Sequence, residues 1–275
     1  MSYLQSYGTI RPHVARSWLL TAASRPEIFD EAVQSGADAV ILDVEDGVPG
    51  PQKPRAREHV LAWLRRGGCA WVRINDVTVA DWELDVAALR GCPGLLGVVL
   101  SKTESPDHVR STVEALPDVP VIALIESALG LERSLDVAAA PGVIRLAFGS
   151  GDFRRDTGIR YDAMALAYPR ARLVVASRAA GIAPPIDGPS ARTCTDIAAD
   201  LHPTIAAGMT GKLVLLPEHV DGINTHLSPT PEEIETAWST IELLGADGAG
   251  IRDGSDRPRL ADAHRVTRLA QALGI

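Results

Sequence analysis

Cysteine is scarce in this sequence: Cys69, Cys92 and Cys194 are the only three, they lie far apart, and no two form a C-x-x-C pair. Neither a disulfide framework nor a thiolate zinc site is therefore expected, and the thiols read as buried apolar groups. Long apolar runs are also missing. No stretch reaches the length of a membrane span, and the N-terminal residues MSYLQSYGTIRPHVARS lack the apolar centre of a signal peptide, so a cytoplasmic protein without a membrane partner is expected. Positive charge is in deficit, with 27 Lys and Arg against 35 Asp and Glu and a net charge of -8, which argues against nucleic acid as a partner. Such a balance still allows a local group of arginines around a small substrate. The seven histidines form no H-x-x-x-H pair of metal ligands.

What is present is an ordinary globular composition, 46% hydrophobic and 23% charged, over 275 residues. That length suits a (β/α)8 barrel, typically about 250 residues, or two smaller domains. The pattern decides between them. Short apolar runs at Trp18–Ala23, Ala39–Leu42, Ala70–Ile74, Leu95–Leu100, Val119–Ile125, Val143–Ala147, a weak one at Ile182–Ala183, and Lys212–Leu216 alternate with longer amphipathic segments. No two runs are joined by a hairpin turn, and repeated β/α units of this number favour a closed parallel barrel over an open sheet. Helices are expected over 26–34, 53–64, 79–89, 106–115, 129–138, 169–179 and 195–207. The barrel is expected to span residues 1–227, because SPTPEE then supplies a helix start with Thr230 as N-cap, Pro231 in the first turn and Glu233 completing a capping box. Residues 228–275 form a helical arm, closed by a helix from about Pro258 to Leu273. The arm has too little apolar surface to fold alone, so it must pack on the barrel or on a neighbouring subunit.

In a parallel barrel the chemistry sits at the carboxyl ends of the strands, so the residues that follow each apolar run are informative. VIALIE ends in Glu126, and one β/α unit later VIRLAFGSGD ends in Asp152. If the two runs are neighbouring strands, the carboxylates emerge side by side, and two acids without nearby His or Cys favour Mg2+, with Mn2+ also possible. The other reading is that each acid caps the helix after it. Arg25 follows strand one; Asp43, Glu45 and Asp46 follow strand two; Lys102 and Glu104 follow strand four. Arg73 lies inside the apolar strand AWVRI, where a guanidinium needs a carboxylate or an anionic ligand, and Glu45 or Asp46 is the expected partner. GSGDFR has Arg154 where a dinucleotide fingerprint needs its third glycine, and GMTGKL lacks the spacing of a phosphate loop, so Lys212 reads as an ordinary lysine at the start of a strand. His219 and His226 follow strand eight and read as rim or surface histidines.

With these residues in place the sequence resembles the citrate lyase beta-subunit-like family of magnesium-dependent CoA-ester lyases, which includes malyl-CoA and citramalyl-CoA lyases. The resemblance is carried by RSWLLTAASRPE, by VILDVEDGV with QKPRAR, and by WVRIN, ALIES and FGSGDF, in that order along nearly the whole chain. It implies a (β/α)8 TIM barrel of the phosphoenolpyruvate/pyruvate type, with Glu126 and Asp152 as metal ligands and Arg73 binding the oxo-acid and stabilising enolate charge. Arg16 and Arg25 would lie near the CoA or carboxylate end of the substrate, joined there by Lys102 as a substrate-binding cation. Glu45 and Asp46 would orient Arg73 and metal-bound waters. Asp256, in GSDRP, would act as acid/base in the site of an adjacent subunit of a homotrimer. The family's G-A-E-D is GSGD here, and its I-H-P-S-Q block is replaced by LLPEH, where His219 could supply a missing contact. The implied activity is reversible carbon–carbon cleavage of a 3-hydroxyacyl-CoA to an acyl-CoA and a 2-oxo acid. Alternatives are a metal-dependent aldolase on free oxo-acids and an accessory or binding subunit.

Overall fold

A computed structural model describes residues 10–275. Its frame is a closed barrel of eight parallel strands in sequential order: β1 (Ser17–Ala22), β2 (Ala39–Asp43), β3 (Ala70–Ile74), β4 (Leu95–Leu100), β5 (Val121–Ile125), β6 (Val143–Phe148), β7 (Ile186–Asp187) and β8 (Gly211–Val214). The helices outside it are α1 (Phe29–Gln34), α2 (Lys53–Arg65), α3 (Ala80–Leu89), α4 (Pro106–Ala115), α5 (Ala128–Glu132), α6 (Ser134–Ala138), α7 (Ser150–Thr157), α8 (Ala167–Ala180), α9 (Ile197–Ala207) and α10 (Val220–His226), followed by α11 (Pro231–Leu244) and α12 (Asp256–Leu273). The expected TIM barrel with C-terminal helices is the observed fold. No helix among the described residues is long and apolar enough to cross a membrane.

Apolar side chains fill two layers because strands buried on both faces can be apolar throughout. Trp18, Ile41, Trp71, Val99, Ile122 and Leu124 pack within one cluster, in which Trp18 and Trp71 meet edge to face at 5.3 Å. The alternate residues Leu19, Leu42, Val72 and Leu100 join the larger cluster formed with the helices. At the amino end of the barrel, Arg145 is fully buried without a carboxylate partner among the described residues. Its guanidinium donates to the carbonyls of Pro12 (3.1 Å), Ala15 (2.8 Å) and Pro184 (2.8 Å) and stacks 5.8 Å from the Trp18 ring. One arginine thereby ties the segment before β1 to the segment before β7.

Local differences from the sequence reading have local causes. The seventh strand, expected at 182–183, lies at Ile186–Asp187. The Ala183 amide does reach the carbonyl of Ile144 on β6, but Pro184 and Pro185 have no N–H to continue the ladder, which resumes only beyond them. The helix expected over 26–34 opens with a 3-10 turn at Pro26–Ile28, and the one expected over 129–138 divides at Arg133 into α5 and α6. Helix α7 was not anticipated; it starts immediately after β6 and stops at Gly158 in a left-handed conformation. In the arm both capping-box bonds form: the Thr230 amide donates to Glu233 Oε2 at 2.7 Å, and the Glu233 amide donates to Thr230 Oγ1 at 3.2 Å. The arm helices pack on each other through Ile234, Ala237, Ile241, Ala263 and Val266.

Candidate active site

The carboxyl ends of β2 to β6 bring most of the expected residues together. Arg73 is held first by Asp43, a residue the sequence reading passed over in favour of Glu45 and Asp46. Its Nε donates to Asp43 Oδ1 at 2.8 Å and its Nη2 to Oδ2 at 2.6 Å, a two-point fork that fixes the plane of the guanidinium. Asp43 also accepts from the main-chain N–H groups of Glu45 and Gly47, each at 2.9 Å, so all four of its lone-pair directions are used. Gly47 is required there, because a Cβ would fall 2.1 Å from Asp43 Oδ2. Burial acts to lower the pKa of Arg73, but the surrounding carboxylates, Asp43 foremost and then Glu45 and Glu126, together outweigh it and the net shift is upward. The signal available in the sequence was LDVEDG, an acid followed at two and four residues by free amides and a glycine.

Glu45 is buried between two cations, with Oε2 3.3 Å from Arg73 Nη1 and Oε1 3.2 Å from Lys102 Nζ. Burial raises its pKa against the opposing pull of Arg73. Asp46, exposed beside it, is shifted the other way: its partial burial acts upward but is outweighed by a hydrogen bond with Glu45 and the charge of Lys102.

Glu126 lies at the end of β5 and is only 4% exposed. Its Oε1 accepts the Lys102 main-chain N–H at 2.7 Å. Its Oε2 lies against Gly149, where an added Cβ would stand 2.5 Å away. Burial, with smaller contributions from Glu45 and Asp152, pushes the Glu126 carboxyl up to about 8. A carboxyl so disfavoured as an anion, with one oxygen spare and a second acid beside it on α7, suits a divalent cation that supplies the missing positive charge. Asp152 is paired with Arg155 one turn along α7 at 2.8 Å, and remains partly exposed. Among the described residues no group of three or more His, Cys, Asp or Glu could hold a metal, so protein ligation would come from this carboxylate pair alone.

Other expected residues lie elsewhere. Arg16 precedes β1 and is therefore at the amino end, opposite the site. Its guanidinium is spent on Asp38 (2.8 Å), Ser228 (2.5 Å) and the Asn224 carbonyl (3.2 Å), so the substrate-binding role expected for it is corrected to a structural staple. Arg25 is at the correct end but points outward, its side chain 62% exposed and only 3.4 Å from Glu27. Asp256, at the start of α12, is buried against Arg259 and the Arg252 amide of its own chain, each at 3.0 Å, and has no bond to the cluster. His219 is buried, its Nε2 3.2 Å from the Cys194 carbonyl, and His226 is exposed. Lys212 is not an ordinary lysine: it is buried on the outer side of β8 with Asp187 and Asp200, and Arg170 joins the same network through Asp187.

Comparison with known proteins accords with this geometry. The HpcH/HpaI aldolase/citrate lyase model matches residues 16–217, and the HpcH/HpaI aldolase C-terminal domain model matches residues 232–274. The chain is 28% identical to a (3S)-malyl-CoA thioesterase of Cereibacter sphaeroides over 95% of its length and 96% of that protein's. It is 26% identical to an L-malyl-CoA/beta-methylmalyl-CoA lyase of Rhodobacter capsulatus, over 86% of each chain. Among solved structures, the protein CitE of Mycobacterium tuberculosis in complex with magnesium, acetoacetate and coenzyme A superposes with a TM-score of 0.77 at 27% identity, covering 94% of this chain and 99% of that one. With both models matched in order over the barrel and the arm, the chain belongs to the HpcH/HpaI aldolase/citrate lyase family.

Proposed function

We propose that the protein is a divalent-cation-dependent carbon–carbon lyase that cleaves a 3-hydroxyacyl-CoA of the malyl-CoA or citramalyl-CoA type to an acyl-CoA and a 2-oxo acid. The observation that carries the reading is the convergence of Glu126, Asp152 and the Asp43-held Arg73 at one end of the barrel. Magnesium and coenzyme A in the related CitE structure, and the malyl-CoA named for two relatives, support the substrate class.

Glu126 and Asp152 would hold Mg2+, with Mn2+ as a substitute, and the bound cation would supply Lewis acidity towards the carboxylate and hydroxyl oxygens of the substrate. Glu45 and the exposed Asp46 beside it would orient Arg73 and metal-bound waters, and cleavage of the carbon–carbon bond, with loss of the hydroxyl proton to water, would leave the 2-oxo acid and the enolate of the acyl-CoA. Arg73, its plane fixed by Asp43 and its Nη1 facing Glu45, binds the oxo-acid and balances the negative charge that develops. Protonation of the enolate carbon would then give the acyl-CoA, with Asp256 of an adjacent copy in a homotrimer relaying the proton from solvent. Arg25, exposed at the rim beside Glu27, would face the phosphates or carboxylate of the CoA thioester.

The test is incubation with Mg2+, acetyl-CoA and either glyoxylate or pyruvate, followed by mass spectrometry. A CoA adduct that disappears with EDTA and in Glu126→Ala supports the lyase. Absence of an adduct with every acyl-CoA tried would overturn it. Turnover of free oxo-acids would then indicate an aldolase, and release of free CoA from malyl-CoA without glyoxylate a thioesterase.

A further inference from the structure

Two non-glycine residues among those described have positive φ, Asp118 at 65° and Lys102 at 46°. Asp tolerates the left-handed region because its short side chain bonds locally, whereas lysine gains nothing of the kind. The strain at Lys102 is therefore maintained by its surroundings. The Ser101 amide donates to the Ile74 carbonyl at 3.3 Å and the Thr103 amide to the Leu124 carbonyl at 3.0 Å, so both flanks are fixed to neighbouring strands. Between them, the turned main chain directs the Lys102 N–H to Glu126 Oε1 at 2.7 Å. Its ammonium runs the other way, to Glu45 Oε1 at 3.2 Å. A glycine would adopt this backbone without strain, so what the lysine adds at this position is its ammonium, paired with Glu45.

We infer that Lys102 is a positioning residue rather than a group that touches substrate: its left-handed main chain fixes Glu126 while its ammonium fixes Glu45, the carboxylate facing Arg73. The oxygen left on Glu126 is then Oε2, held against Gly149. One residue thus sets the orientation of a cation ligand and of the arginine's partner. The inference rests on the reading of Glu126 as a cation ligand.

The experiment compares wild type, Lys102→Gly and Lys102→Arg by thermal melting, by Mn2+ affinity from electron paramagnetic resonance, and by pyruvate affinity of the Mn2+-loaded protein. In Lys102→Gly the backbone bond persists, so the Mn2+ dissociation constant stays within about threefold, while loss of the ion pair to Glu45 lowers Tm. Pyruvate binding weakens about tenfold, because Glu45 is untethered, and Lys102→Arg restores most of it. A Mn2+ affinity more than tenfold weaker than wild type, or unchanged pyruvate affinity in Lys102→Gly, would overturn the inference alone. Wild type that binds no Mn2+ would overturn the cation reading of Glu126 on which it depends.

Discussion

Gly149→Ala isolates the steric fit around Glu126. The backbone at Gly149 has φ -82° and ψ 69°, so alanine meets no left-handed strain. The new methyl, however, would stand 2.5 Å from both Cβ and Oε2 of Glu126 and 3.2 Å from its carboxyl carbon. Ordinary contact lies near 3.5–4.0 Å, so roughly 1 Å of relief is needed. Glu126 cannot give way freely, because Oε1 is bonded to the Lys102 amide. Overpacking of this kind costs about 1–3 kcal/mol, and each kcal/mol lowers Tm by about 2–4 °C for a chain somewhat shorter than this one. A fall of several degrees is therefore expected. If Glu126 and Asp152 hold the cation as proposed, displacing Glu126 should weaken Mn2+ binding by about 10–100-fold, the range seen when groups that orient a ligand are lost. Gly151, two residues on, has nothing within 4 Å of an added Cβ, so Gly151→Ala should leave Mn2+ affinity unchanged and raise stability by about 0.5–1 kcal/mol through helix propensity. Calorimetric titration of both variants with Mn2+ is the assay. If Gly149→Ala bound the ion as wild type does, Glu126 would not be the ligand or Oε2 not the oxygen used.

Metal affinity should depend on pH. With the Glu126 carboxyl at about 8, a proton competes with the cation below that value, so the apparent affinity should fall by up to tenfold per unit from pH 8 to pH 6. The apo protein behaves oppositely, because the raised pKa stabilises the fold fully below the unfolded value of 4.5 and that contribution is lost as pH rises through about 8; melting curves with and without EDTA should diverge most above pH 8. Asp43→Asn removes the charge of the fork on Arg73 and should cost about 3–5 kcal/mol by urea denaturation, together with oxo-acid binding. Arg145→Met leaves the Pro12, Ala15 and Pro184 carbonyls without their donor and should cost about 2–4 kcal/mol without altering Mn2+ affinity, because the residue lies at the other end of the barrel.

Strand order, the carboxyl-end position of Glu126 and Asp152, and the need of Arg73 for an anionic partner were legible because each depends on local pattern or on the cost of burying charge. The partners were legible in part: Glu45 does pair with Arg73, but Asp43, Glu45 and Asp46 are alike in residue type, and only the β2–β3 register, which sets Asp43 opposite Arg73, selects the acid that forms the two-point fork. Arg16 was misplaced for the complementary reason. It precedes an apolar run rather than following one, and its position in the chain already assigned it to the amino end had that rule been applied. Lys212 was hidden because its acidic partners are distant in sequence, Asp187 by 25 residues. The conformation of Lys102 left no trace in residue type, since a glycine would have been the ordinary signal of positive φ.

The arginine at the base of the barrel also governs traffic. Arg145 and the Trp18–Trp71 pair are buried together towards the amino end of the barrel, so a cation, substrate and products bound as proposed would share the mouth above. Glu126 lies deeper than Lys102, whose side chain is 35% exposed, and a molecule bound over it stands in the exit path of an ion. If Glu126 holds a cation as proposed, order of arrival would follow from depth: the cation would enter first and leave last. A chelator should strip it quickly from the free enzyme and slowly from one occupied by oxo-acid.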